Sequence, residues 1–136
     1  IKNLHAVFTA PGQSATYSFY NKNAGDLKAY LKSVTFNNVS GESVTKKCVA
    51  KSGGTATQSS VNSACEGITL TVTVGSENFT STKLRNEFAS ATAHDLAKDG
   101  YEEVKVVIAY ENGSAQADGG FDVSFGDLVL LYTSNE

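Results

Sequence analysis

Apolar and polar residues alternate with a period of two along much of this chain. The pattern is clearest in the segments EGITLTVTVGSE, residues 66–77, and EEVKVVIAY, residues 102–110. Such alternation is typical of antiparallel strands that bury one face and leave the other in water. The apolar positions are Ile68, Leu70, Val72 and Val74 in the first segment and Val104, Val106, Ile108 and Tyr110 in the second. Both segments are therefore predicted to be half-buried strands.

Three more strands are predicted towards the N-terminus. Residues 2–9 and 13–22 alternate on either side of the turn formers Pro11 and Gly12. Residues 26–36 fit either a helical stripe or a strand. The β-branched and aromatic end of that segment, VTF, favours the strand.

The C-terminal segment 121–133 contains two apolar sets of opposite phase. They are Phe121, Val123 and Phe125 in the first set and Leu128, Leu130 and Tyr132 in the second. The phase changes at Gly126–Asp127, and one extra residue in a β-bulge there would keep both sets on the core side. Residues 121–133 are therefore predicted to be one long final strand with a bulge.

The alternation is interrupted at residues 81–100, between the two clearest strands. Apolar residues in this stretch favour one or two short helical turns that end near Gly100, in a crossover covering one end or edge of a sheet. The pattern gives about seven strands and no internal repeat. Residues 1–136 are therefore predicted to form one all-β domain, a jelly-roll or immunoglobulin-like β-sandwich.

Asn21 breaks the apolar face of the second predicted strand. Ala15, Tyr17 and Phe19 precede it in the same phase, so an amide stands where the pattern calls for an apolar side chain. A buried amide without partners would cost about 1–3 kcal/mol. We therefore expect the core to end at Phe19, with Asn21 at the rim bonding the turn at Asn23 or a neighbouring chain.

Composition and charge narrow the choice of partners. The 136 residues carry a net charge of −3 and a pI near 5.3, with one adjacent basic pair, Lys46-Lys47. This balance offers no basic field for nucleic acid or an acidic membrane. The sequence has no run of 18 apolar residues, so membrane insertion is not expected.

The two cysteines, Cys48 and Cys65, enclose a polar segment rich in Ser, Thr and Gly that is expected to have no core of its own. A disulfide closing this loop would stabilise the fold by roughly 3 kcal/mol in the loop-closure model. The alternative is a pair of reduced thiols, whereas the paired ligand spacings of zinc sites are absent from the sequence. The disulfide is the favoured interpretation, and it indicates an oxidising, extracytoplasmic location.

Residues able to perform chemistry are scattered along the sequence. His5 and His94 belong to no HExxH motif or close carboxylate arrangement, so both are expected to be surface or packing residues. Glu102 and Glu103 are expected to be the solvated start of a strand. The acids of ADGGFD lack the spacing of a calcium loop. The sequence therefore predicts no enzyme activity, no cofactor and no metal site.

Two stretches of the chain, APGQSATYSFYNKNAGDLKAYLKSVTF and VKVVIAYENGSAQADGGFDVSFGDLVLLY, resemble the TasA/camelysin family of secreted Gram-positive fibre proteins. The N-terminal pattern is Pro11-Gly12, a strand with alternating aromatic residues, a turn at residues 23–25 and an extended strand ending at Phe36. A Val/Ile-rich strand, a polar hairpin and a long last strand follow near the C-terminus. Together the two stretches cover somewhat under half of the chain.

The resemblance implies secretion, a jelly-roll subunit and assembly into extracellular filaments of the biofilm matrix. Subunits would be joined by donor-strand complementation, in which an N-terminal strand of one subunit completes a sheet of the next. The same segment also fits the subunit's own first strand. Protease activity, described for camelysin-like members, has no supporting motif in this sequence. The expected donor residues are Ile1, Lys2, Asn3, Leu4, His5, Ala6, Val7, Phe8 and Thr9.

The expected partners are neighbouring subunits in a homopolymer, together with cell-surface or matrix components. The alternative function is a cell-surface adhesin or carbohydrate-binding module. Exposed tyrosines would stack on sugar rings in such a module, although packing in the core is the simpler role for an aromatic residue. The candidates are Tyr17, Tyr20, Tyr101 and Tyr132.

Overall fold

The computed structural model describes residues 4–80 and 94–134, which form ten strands and one helix. In chain order the elements are β1 (His5–Phe8), β2 (Ser14–Lys22), β3 (Ala29–Phe36), β4 (Lys46–Ala50), α1 (Gln58–Cys65), β5 (Ile68–Val74), β6 (Glu77–Thr80), β7 (Asp95–Leu96), β8 (Tyr101–Tyr110), β9 (Phe121–Phe125) and β10 (Leu128–Thr133). The strands pair antiparallel in three sheets. The predicted all-β class is therefore confirmed, with more strands than the alternation indicated.

The four-stranded sheet has the order β2-β8-β5-β6 and contains the two segments with the clearest alternation. Leu70 of β5 and Ala15 of β2 both pair with Ile108 of β8, so side chains of one phase line up across the sheet. This face is buried along β5 and β8, whereas the threonines of β5 lie on the opposite, partly exposed face. The period-two pattern therefore determines which face of this sheet meets the core.

The other two sheets have the orders β1-β9-β4 and β10-β3-β7. The predicted single last strand is wrong, because residues 121–133 form two strands in two sheets, with the break at Gly126–Asp127. A register irregularity does occur, but between Leu131 and Tyr132. Both apolar sets nevertheless face the core, as the phase change predicted.

Gly126 lies where the chain passes very close to the end of β3. A Cβ atom at this position would lie 1.8 Å from the carbonyl oxygen of Asn37. The Gly126 amide donates to the Thr45 carbonyl, and the Asn37 amide donates to the Asp127 carbonyl. This close approach explains why the passage from β9 to β10 contains a glycine.

Aromatic rings join the sheets into a sandwich. Phe8 of β1 lies 5.8 Å from Tyr110 of β8 and 6.1 Å from Phe121 of β9, measured between ring centroids. Phe36 of β3 lies 5.8 Å from Phe125 of β9. All buried apolar residues that the structure describes, except Leu96, form one hydrophobic cluster, so the predicted β-sandwich is confirmed. The jelly-roll strand order stays a prediction.

The segment between the cysteines contains more structure than its polarity indicated. Helix α1 begins after Thr57, whose hydroxyl oxygen accepts a hydrogen bond from the Ser60 amide at 3.1 Å. Val61 and Ala64 of this helix are fully buried. The expectation that this segment is a loop is therefore wrong, because two small apolar residues three positions apart dock a helix on the main core.

The ambiguous segment 26–36 is a strand, β3, as its β-branched end predicted. Most of the predicted crossover at 81–100, including its expected helical turns, lies outside the described residues. Its described end contains the short strand β7, which pairs with β3. Among the residues that the structure describes, no helix is long and apolar enough to span a membrane.

Candidate functional site

The N-terminal strand β1 is an outer strand that pairs with β9 of the same chain. Leu4, Ala6 and Phe8 point into the core and are 1, 6 and 1% exposed. Of the predicted donor residues 1–9, residues 1–3 lie outside the described part of the chain. In this single chain, the predicted donor segment thus provides one of the protein's own strands.

A braced turn connects β1 to β2. The side-chain oxygen of Gln13 accepts hydrogen bonds from the amides of Thr9 at 2.8 Å and Ala10 at 3.3 Å. Gly12 has a φ of +95°, which favours glycine, and its amide donates to the Tyr110 carbonyl at 2.6 Å. This turn holds β1 against its own subunit and would have to open if β1 left.

Helix α1 covers the other outer strand of the same sheet, β4. Cys48 and Cys65 form a disulfide, as predicted, with their Cα atoms 6.0 Å apart. The side chain of Gln58 donates to the Cys48 carbonyl at 3.1 Å, and Lys46 Nζ donates to the Cys65 carbonyl at 2.8 Å. The disulfide therefore joins a helix to the strand that the helix protects.

A buried histidine lies between two carboxylates at one end of the four-stranded sheet, near the turn between β5 and β6. The Nδ1 atom of His94 is 2.7 Å from Glu77 Oε1, and its Nε2 atom is 2.8 Å from Glu102 Oε2. Both ring nitrogens face acceptors, so both bonds form together only when the imidazole carries two protons. The side chains of His94 and Glu102 are 7 and 8% exposed, whereas that of Glu77 is 33% exposed.

The prediction that Glu102 is solvated is wrong. Burial alone would raise the pKa of Glu102, but hydrogen bonds from His94 and Tyr132 bring it below its ordinary value. The hydrogen bond to Glu102 raises the pKa of His94 above its ordinary value, and burial opposes this change only in part. Glu77 and Glu102 were missed as partners because they come from different strands.

Tyr132 extends these contacts to a second sheet. Its hydroxyl donates to Glu102 Oε1, and the Asn21 amide nitrogen donates to the Tyr132 hydroxyl oxygen at 3.4 Å. Burial is the main cause that raises the pKa of Tyr132, and the hydrogen bond to Glu102 raises it further. We call Glu77, His94, Glu102, Tyr132 and Asn21 the His94 network. It links β6, β8 and β2 of the four-stranded sheet to β10.

Asn21 is half-buried at the rim, as predicted. Its side chain bonds Tyr132, whereas one alternative of the prediction had it bonding the turn at Asn23. Asn21 lines a groove of about 450 Å³ between β2 and β10. Phe19 and Leu130 supply apolar lining, and Asn21 and Tyr132 supply polar lining. One end of the His94 network is therefore part of the groove wall.

Two tyrosines lie together on the outer face of the four-stranded sheet. Tyr20 and Tyr101 are 67 and 65% exposed, whereas Tyr17 is half-buried. In the β2–β8 pairing, Tyr20 lies opposite Glu103 and Lys22 lies opposite Tyr101. The Lys22 ammonium sits 5.6 Å from the centre of the Tyr101 ring. Of the four tyrosine candidates, these two form an accessible aromatic surface.

The remaining candidate groups are dispersed. His5 is exposed on β1, Asp122 is in β9, and Asp118 and Asp127 lie before and after that strand. Within residues 4–80 and 94–134, no group of three or more His, Cys, Asp or Glu side chains could hold a metal ion.

Comparisons with known proteins gave no match: no protein-family model, no curated protein and no solved structure matches this chain. The function is therefore inferred from the residues and contacts of the chain itself.

Proposed function

We propose that this protein is a secreted structural subunit, without enzyme activity, of an extracellular filament. Strand β1 of one subunit leaves its own sheet, and residues 1–9 insert beside β9 of the next subunit, so that the filament grows by donor-strand complementation. The partners are identical subunits, and matrix or cell-surface components surround the filament.

The observation that carries this proposal is the position of β1 at the edge of its sheet. The strand pairs with β9 and is followed by a turn containing Pro11 and Gly12. Together with Leu4 just before it, the strand places three alternating side chains in the core. Such a strand can be exchanged as a unit, because a second copy offers the same side chains in the same register.

Energetics favour replacement of β1 over its simple loss. Exposing Leu4 or Phe8 would cost roughly 1.5–3 kcal/mol each, and the cavity left behind adds to this cost. When the β1 strand of a neighbouring subunit occupies the position beside β9, its own Leu4 and Phe8 side chains are buried there instead. The balance between monomer and filament then depends on the turn between β1 and β2 and on protein concentration.

The opposite edge of the sheet, strand β4, is covered, and this favours exchange of strands at the β1 edge. Helix α1 and the Cys48–Cys65 disulfide cover β4, so strand addition on that side is hindered. The disulfide also supports an oxidising, extracytoplasmic location.

The proposal is tested by locking β1 to its own β9. Val7 and Asp122 lie opposite each other in the two strands, at the Cα spacing of antiparallel partners, which a disulfide can bridge. Oxidised monomers of the double variant V7C/D122C cannot release β1, so we expect no filaments by electron microscopy. The reduced variant should assemble as the wild type does.

The matched control is T73C/N78C, which introduces a disulfide between partners in the β5–β6 hairpin. This variant should assemble in both oxidation states, because the hairpin is not exchanged. Filaments grown from oxidised V7C/D122C monomers, or a wild type that stays monomeric at every concentration, would contradict the proposal.

Glycan binding is a second candidate function, and the exposed pair Tyr20 and Tyr101 favours it. Aromatic faces pack against the apolar faces of sugar rings, while Lys22 and Glu103 beside them could bond hydroxyl groups. In a pull-down with insoluble polysaccharides, the variant Y20A/Y101A should lose binding. The control L27A, which alters an exposed residue outside this surface, should bind as the wild type does. Equal binding by all three proteins would exclude the tyrosine pair.

A further inference from the structure

The His94 network contains one basic group and two carboxylates in a largely buried place. Among the described residues, Glu77 of β6 and Glu102 of β8 face the His94 ring, and Tyr132 of β10 reaches Glu102. Asp95, the residue after His94, pairs instead with Lys28 at 3.4 Å. Among these described groups, the positive charge that faces the two carboxylates comes from His94 when its ring is protonated.

We propose that the His94 network is a pH-operated clasp that holds β10 to the four-stranded sheet. The clasp is closed while His94 is protonated and Glu102 is ionised, and it loosens when either charge is lost. This inference is independent of filament assembly.

The limits of the closed range follow from linkage. The pKa of His94 is raised above 6.5 in the folded protein, so its contribution is complete below pH 6.5 and is lost as pH rises through the folded value. The pKa of Glu102 is lowered below 4.5, so its contribution is complete above pH 4.5 and is lost as pH falls through the folded value. The clasp is therefore strongest between pH 4.5 and 6.5.

Loss of the His94 charge affects the two carboxylates differently. Glu77 is one-third exposed and can turn to water, whereas Glu102 stays buried and, among the described residues, has no other cation beside it. Glu102 is the acceptor for Tyr132, and Tyr132 and Asn21 line the groove between β2 and β10. Deprotonation of His94 therefore loosens one wall of the groove.

An NMR titration tests the clasp in the intact protein. We expect the His94 ring to titrate above pH 6.5, and the Tyr132 ring and Asn21 side-chain amide signals to shift with the same midpoint. In the variant H94Q both shifts should disappear, and in the control H5Q, which alters an exposed histidine, they should remain. A His94 midpoint at or below 6.5, or Tyr132 and Asn21 signals that do not follow it, would overturn the proposal.

Unfolding experiments give a second readout. Above pH 6.5 the folding constant of the wild type should fall by up to about tenfold per pH unit until the His94 midpoint is passed. H94Q should lack this decline, and a decline equal to that of the wild type would reject the clasp. If H94Q does not fold, the variant E77Q is the alternative test. Removal of the Glu77 carboxylate must lower the midpoint pH of the His94 titration, because that carboxylate helps to raise the pKa of His94. An unchanged midpoint in E77Q would also reject it.

Discussion

At the scale of single residues, the buried asparagine of this region is Asn23 and not Asn21, the residue that the alternation pattern singled out. Asn23 is 9% exposed, and its amide nitrogen donates to the carbonyls of Leu27 at 2.8 Å and Leu96 at 3.0 Å. Its side-chain oxygen accepts a bond from the Gly25 amide at 3.0 Å. Asn23 therefore ties the turn after β2 to β7, whereas Asn21 makes one long bond at the rim.

Replacing the two asparagines should separate these roles. Asn23→Ala leaves the buried Leu96 carbonyl and the part-buried Leu27 carbonyl without their donor, so we expect a loss of about 1–3 kcal/mol in the free energy of unfolding. Asn21→Ala should cost about 1 kcal/mol or less, because its single bond lies at a half-buried site. Urea denaturation measures both values. Equal losses would show that Asn23 is not the anchor.

Alternation along a strand predicts which residues are buried, but not which residues meet. The pattern placed Ile68 and Val104 correctly in the core. The pattern could not predict that Glu77, His94 and Glu102 meet, because their contacts depend on how β6 and β8 are placed within the sheet. Glu102 also belongs to the polar pair EE near the start of β8, and such a pair is the usual sign of a solvated strand end.

At the scale of elements, the long alternating segments were predictable and the short polar ones were not. Strands β5 and β8 contain four apolar residues in phase, whereas β4 reads KKCVA and α1 reads QSSVNSAC. In α1, Val61 and Ala64 are the buried residues, too few for a helical pattern to stand out. The cysteines gave the better signal, because they indicated that these two elements are joined.

Removing the disulfide should weaken the element pair that it joins. In the variant C48S/C65S we expect the free energy of unfolding to fall by roughly 3 kcal/mol, the value of the loop-closure model for a separation of 17 residues. Amide exchange in β4 and α1 should increase more than in β5 and β8. Wild-type protein with its disulfide reduced is the control and should match the variant. Uniform exchange throughout the protein would argue against a local role for the disulfide.

At the scale of the whole molecule, the sandwich is closed by its own N-terminal strand. Phe8 fills the space between Tyr110 and Phe121, and α1 covers the far edge of the same sheet. In the account proposed for this protein, the monomer is therefore a stable closed form. The filament keeps the same packing but takes β1 from a neighbour.

The most direct measurement is the location of the Val7–Asp122 crosslink in assembled filaments. V7C/D122C is assembled under mild reduction, which should spare the Cys48–Cys65 disulfide because Cys48 is only 7% exposed, and the filaments are then oxidised. Strand exchange predicts a covalent ladder of dimers, trimers and longer species on a non-reducing denaturing gel, which reductant collapses to monomer. Filaments that yield only internally crosslinked monomers would contradict the exchange of β1.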